Sequence, residues 1–140
     1  MEFFRRINNK VAEIVAIPAI NSVLILAARF LMALIFIGAG YSKITGYDGT
    51  AQYMAGMGVP AFMLPLVILL ELGGGLALLF GFQTRLVALA LAGFSIISGL
   101  IFHATPDQQI MLMKNFAMAG GLLAFTVFGA GRLSLDAEKN

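Results

Sequence analysis

The stretch LLELGGGLALLFG, residues 69–81, sets one carboxylate, Glu71, and three consecutive glycines inside an otherwise apolar run. Working outward, the apolar character extends over residues 61–80. As a helix, such a segment is about 30 Å long, the thickness of a bilayer's hydrocarbon core. Three further segments of similar length and character follow the same rule, at residues 22–41, 86–104 and 111–130. The composition agrees: of 140 residues, 60% are hydrophobic and 11% charged, with twelve Phe and no Trp. A mean hydropathy of +0.94 is far above that of water-soluble domains. The fold class expected is all-α integral membrane, a four-transmembrane-helix bundle with an N-terminal interfacial helix.

The breaks between spans carry turn residues: Gly46, Asp48 and Gly49, then Gly58-Val59-Pro60, Gln83-Thr84-Arg85 and Thr105-Pro106-Asp107. Pro65 falls in the first turns of span two, where a missing N–H costs least. Residues 44–60 form the longest connection and suit a short amphipathic or re-entrant segment. At the start, Glu13, Pro18 and Asn21 interrupt any signal-peptide core, so residues 1–20 are read as a retained segment. Phe3, Phe4, Ile7, Val11, Ile14 and Val15 recur at helical spacing opposite Arg5, Arg6 and Lys10, the pattern of a helix lying on the membrane surface. A basic tail that only sets topology is the competing reading. Residues 21–136 form the membrane domain and residues 137–140 a tail.

Several function classes are excluded. The net charge is +2 and the basic residues are scattered rather than clustered, so nucleic acid is not expected as a partner. Without cysteine the chain supports no thiolate catalysis or Fe–S ligation, and one His cannot make an intrachain bis-His haem. Glu71, His103 and Asp107 lack metal-ligand spacing on any one helix, so no metal is expected. Arg5, Arg6, Lys10, Arg85, Arg132 and Lys139 fall on one side of the membrane, against Lys43 and Lys114 at the other. That bias places both termini in the cytoplasm of a multi-pass inner-membrane protein.

Ionisable groups inside lipid are costly, and they turn inward toward partners. Glu71 is the deepest, about 15 Å into its span. Its helical face includes Leu64, Val67, Ile68, Gly74, Gly75 and Leu78, whereas Phe62, Leu66, Leu69, Leu76 and Phe80 project toward lipid. The glycines are read first as a packing device, with Gly73, Gly74, Gly75, Ala77 and Gly81 admitting a second helix closely. Arg29 shares a face with Met32, Ala33, Phe36, Gly40 and Lys43. Side chains lean toward their own helix N-terminus, so Arg29 leans to the cytoplasmic side and Glu71 to the outer side, toward Lys43, His103 and Lys114. Glu71 and His103 are the candidate proton-exchanging groups. Arg29, Lys43, Lys114 and Asn115 are the candidate binding cluster.

The assembled motifs resemble the DoxX family of small bacterial membrane proteins. Arg29 with FIGAGYSKI, then GMGVPAF, ELGGGLALLFGFQTR, FHA, MKNFAMAGG and GAGRLSLD come in the family's order, over about residues 24–136. The most specific part is Glu71, Leu72, Gly74, Gly75, Leu76, Leu78, Leu79, Gly81, Thr84 and Arg85, supported by Lys114-Asn115 and Ser134-Leu135-Asp136. The resemblance implies four transmembrane helices. It also implies work near the quinone pool, because the family takes its name from a small subunit of an archaeal thiosulfate:quinone oxidoreductase. The function expected is a quinone-interacting subunit of a membrane oxidoreductase, with quinone as its noncovalent cofactor. A redox protein would supply the electrons, and the bilayer and a second copy complete the expected partners. The alternatives are a structural or assembly protein without catalysis and a small transporter.

Overall fold

The computed structural model describes residues 1–137. Helix α1 (Glu2–Val15) is followed after two residues by α2 (Pro18–Thr45), with Pro18 at the first helical position, where its fixed φ and missing N–H are tolerated. A short helix, α3 (Tyr47–Gly56), occupies the long connection. Next come α4 (Ala61–Phe80), α5 (Thr84–Phe102) and α6 (Gln109–Phe128), the last preceded by a 3-10 turn over Pro106–Gln108. The four long helices are each long and apolar enough to cross a membrane. The first exceeds the sequence expectation by four residues at each end, which carries Lys43 and Thr45 into regular helix.

Successive long helices run antiparallel. Helix α2 packs along α4, α4 on α5, α5 along α6, and α6 returns against α2. Their shared interior is small and apolar: Ala33, Phe36, Leu78, Ala88, Leu91, Ala92, Ala119 and Leu122 are buried together. Large apolar side chains such as Leu31, Leu66, Leu69, Leu86 and Ile97 point outward. In water they would be an aggregation surface, but in a bilayer they meet acyl chains.

Glycines set how close the helices come. A Cβ on Gly75 would lie 2.9 Å from Ile37 Cγ1 and 3.1 Å from the Ile37 backbone N, and one on Gly40 would lie 2.9 Å from the Leu72 backbone N. These two positions hold α2 and α4 at near backbone contact. Gly74 receives Leu91 of α5 instead. The small-residue series expected along Gly73, Ala77 and Gly81 is not the helix-packing face. Gly73 is exposed and a Cβ there would meet only Leu69 of its own helix. Ala77 is half-buried, and Gly81 packs on the C-terminal segment. Helical spacing accounts for this, since Gly73 falls about 200° around the axis from Glu71, whereas Gly74, Gly75 and Leu78 fall within about 60° of it; α4 also widens into a π-helical turn over Leu69–Gly73.

Candidate functional site

Two polar clusters lie inside the bundle, at different depths. For description, the end carrying the start of α2 and the end of α6 is the terminal end, and the opposite end is the loop end.

The first cluster is an ion pair. Glu71 sits in the π-helical turn of α4 with its side chain 5% exposed, and Lys43 reaches it from the last turn of α2, Nζ to Oε1 2.7 Å, with its own side chain 27% exposed. The geometry follows from side-chain lean, because α2 ends where α4 is still on its way in. On the outer surface, an apolar groove of about 570 Å³ is lined by Ile44, Tyr47, Ile68, Leu69, Leu72 and Gly73, among others, with Lys43 and Glu71 outside its lining. Ile44 and Leu72 are the sequence neighbours of Lys43 and Glu71. The groove and the ion pair therefore share one stretch of each helix.

The second cluster closes the terminal end. Arg29 is fully buried. Its Nη1 donates to the carbonyls of Leu78 at 3.2 Å and Leu79 at 2.8 Å, and its Nη2 donates to the carbonyl of Leu133. Leu78 and Leu79 belong to the last turn of α4, where the regular i+4 donors run out, and a cation at this position interacts favourably with the helix dipole. The turn that follows is a Schellman motif, with Phe82 N–H to the Ala77 carbonyl at 2.8 Å and Gly81 N–H to the Leu78 carbonyl at 3.2 Å. Gly81 has φ +69, and a Cβ there would fall 2.3 Å from Ser134 Cβ, so conformation and space both require glycine.

Residues 131–136 lie across this turn as a strap. Leu135 N–H donates to the Phe80 carbonyl at 3.0 Å and Asp136 N–H to that of Gly81 at 2.8 Å. The Asp136 carboxylate accepts from the backbone N–H groups of Gln83 and Thr84, both at 2.9 Å, and so caps α5 from 52 residues away. Partial burial alone would raise the Asp136 carboxyl. The hydrogen bonds from Thr84 and Gln83 and the charge of Arg29 outweigh it and hold the group below its ordinary value. Arg85 does for α6 what Arg29 does for α4, donating to the carbonyls of Thr126, at 3.3 Å, and Val127. The tail expected from residue 137 lies, from residue 138 on, outside the described residues, as does Lys139.

The remaining candidates are placed separately. His103 ends α5, with Nδ1 2.8 Å from Gln108 Oε1. Asn115 is buried between α5 and α6, where its Nδ2 donates to the Ser95 carbonyl at 3.0 Å, opposite Gly99. Lys114 is exposed. Of the residues expected to converge on Glu71, the structure joins Lys43 to it. Among the described residues, no hydrogen bond or ion pair links Glu71 to Arg29, His103, Lys114 or Asn115. No group of three or more metal-ligating side chains occurs among them either. The strap is legible in part: Ser134 and Asp136 suit the capping of backbone groups near a chain turn, whereas the amides of Gln83 and Thr84 that Asp136 caps leave no mark in residue type.

A small multi-pass membrane protein, four helices around an interior ion pair and a buried arginine, is the class these features define. Within it the chain belongs to the DoxX family, whose model matches residues 24–104. It is 55% identical over 115 residues to the Escherichia coli protein "Inner membrane protein YqjF", covering 80% of this chain and 88% of that one. Against "Inner membrane protein YphA" of the same organism it is 35% identical over 128 residues, 84% of this chain and 91% of the other. A shorter similarity, 37% over 67 residues, reaches "Putative oxidoreductase CatD" of Bacillus subtilis and covers 48% of this chain and 50% of that protein. No solved structure matches.

Proposed function

We propose that this chain is an inner-membrane subunit of a quinone-linked oxidoreductase assembly, with both termini in the cytoplasm. The observation that carries the reading is the interior Lys43–Glu71 pair, whose sequence neighbours Ile44 and Leu72 line an apolar groove on the outer surface. A quinone combines an isoprenoid tail with carbonyl oxygens that take up protons on reduction. The groove suits the tail, Lys43 is a donor for a carbonyl oxygen, and Glu71 is a carboxyl that exchanges protons. His103, hydrogen-bonded to Gln108 near the loop end, is the second exchanging group. Reduction of the quinone takes two electrons and two protons. Cysteine is absent and a single histidine is present, so the electrons come from a partner redox protein. The similarity to a Bacillus protein named as an oxidoreductase supports this direction, as do the two relatives named as inner-membrane proteins for the location. The charge bias of Arg5, Arg6, Lys10, Arg85 and Arg132 supports the orientation.

A second reading, a structural or assembly protein, is favoured by Arg29 and Asn115, whose terminal nitrogens donate to backbone carbonyls of neighbouring segments. One experiment separates the two. The protein is purified in mild detergent and its extractable quinone measured, for the native chain and for Glu71→Gln. Retained quinone that is lost in Glu71→Gln at unchanged helicity and unfolding midpoint supports the redox reading. No quinone in either, with a lowered midpoint in the variant, overturns it in favour of the structural one.

A further inference from the structure

Helix α1 buries none of its residues. It nevertheless carries Phe3, Phe4, Ile7, Val11, Ile14 and Val15, each between 36% and 67% exposed. At 3.6 residues per turn these six side chains fall within an arc of about 120°. Arg6 and Lys10 occupy one margin of the arc, whereas Glu2, Asn9 and Glu13 lie toward the opposite pole. Arg5 pairs with Glu2, and Lys10 reaches Glu13 at 3.6 Å with both side chains largely exposed. Arg6 has no such partner among the described residues. A shallow hollow of about 580 Å³ runs along that margin, lined by Phe3, Ile7, Arg6 and Lys10 together with Asn9 and Glu13. It sets two cations directly against two apolar side chains.

Position narrows what can cover this face. Only Ala16 and Ile17 separate α1 from Pro18, the first residue of a membrane-crossing helix, so α1 is tethered where hydrocarbon gives way to headgroups. An apolar arc this broad, with cations at its rim and the acids beyond them, matches a helix seated in the plane of that boundary. A helix–helix seam would instead call for a narrower stripe. The segment also precedes residue 24, where the family match begins.

We infer that α1 is a binding site for anionic phospholipid. The apolar arc sits among the upper acyl segments while Arg6 and Lys10 extend along the rim to hold a headgroup phosphate. A negatively charged leaflet strengthens seating by about fivefold for each of the two cations.

Because the chain contains no Trp, a single Phe4→Trp substitution is a background-free reporter in the full-length protein. The reporter chain is reconstituted in phosphatidylcholine vesicles with and without phosphatidylglycerol, using acyl chains brominated at shallow or deep positions. The expected result is blue-shifted emission, quenched most by shallow bromines, and quenching that rises with phosphatidylglycerol. Adding Arg6→Gln and Lys10→Gln removes that rise while far-UV circular dichroism is unchanged. Water-like, unquenched emission in both lipids overturns the inference. Quenching that ignores phosphatidylglycerol and both substitutions overturns the anionic assignment. Emission that follows the protein-to-lipid ratio, and not lipid charge, assigns the face to a second copy and overturns it as well.

Discussion

Removing the cation from the interior ion pair is the most direct perturbation of the bundle. At 2.7 Å the Lys43–Glu71 pair has a gross Coulomb attraction of about 6 kcal/mol at an effective dielectric near 20. Desolvation consumes much of this, and more for Glu71, at 5% exposure, than for Lys43, at 27%. Lys43→Met leaves the buried carboxylate without compensation and is expected to cost about 3 kcal/mol, toward the low end for broken buried pairs because Lys43 is partly exposed. Glu71→Leu in the same chain removes the stranded charge, so the double variant returns to within about 1 kcal/mol of the native protein. The pair is thus strongly non-additive in a double-mutant cycle. Unfolding in mixed detergent–dodecyl sulfate micelles, followed by far-UV circular dichroism, measures all four corners. A Lys43→Met cost under about 0.5 kcal/mol, or additive single effects, would refute a buried, energetically coupled pair.

Gly75→Ala is expected to destabilise by about 1–3 kcal/mol, because the added methyl meets the Ile37 backbone and α2 must move away from α4. Gly73→Ala, two residues earlier, is expected to be neutral or to stabilise by up to about 1 kcal/mol, since its methyl meets only Leu69 at 3.7 Å and alanine is the better helix former. Unfolding midpoints of the two variants, compared side by side, check the packing face. The strap is expected to depend on pH. The folded-state carboxyl of Asp136 is held below its unfolded value, so its contribution is fully present above the ordinary carboxylate range and is lost as pH falls through the depressed value. Hydrogen exchange at the Gln83 and Thr84 amides reads this, with protection falling in acid. Asp136→Asn is expected to lower protection at neutral pH by the equivalent of about 0.5–2 kcal/mol and to abolish the acid dependence.

Much of the architecture was legible in the residues for a simple reason: in lipid, length and apolarity decide whether a segment crosses. The Glu71 face was legible too, since Leu64, Gly74, Gly75 and Leu78 sit at helical spacing around it, and all are buried. The direction in which Arg29 and Glu71 part company followed from side-chain lean. What Arg29 binds did not, because its partners are the carbonyls of Leu78, Leu79 and Leu133, and backbone groups leave no mark in residue type. The π-helical turn was equally hidden. It spans Leu69–Gly73, a stretch whose residue types read as ordinary helix. His103 and Lys114 share the loop end with Lys43, yet sharing a depth is not contact. The short Pro106–Gln108 turn occupies His103 locally, and Lys114 lies on the outward side of α6.

The strap also orders events during synthesis. Arg29 belongs to the first membrane helix, yet its Leu133 acceptor is 104 residues later in the chain. At ordinary elongation speeds that separation is about 5–20 s. During this interval the hairpin of α2 and α4 supplies only part of the guanidinium's partners, and the first turn of α5 waits without the carboxylate that caps it. The bundle's terminal end is therefore closed by a segment that follows all four long helices in the chain. A chain interrupted before residue 131 would hold all four long helices but leave the Arg29 guanidinium and the first amides of α5 without the strap's acceptors.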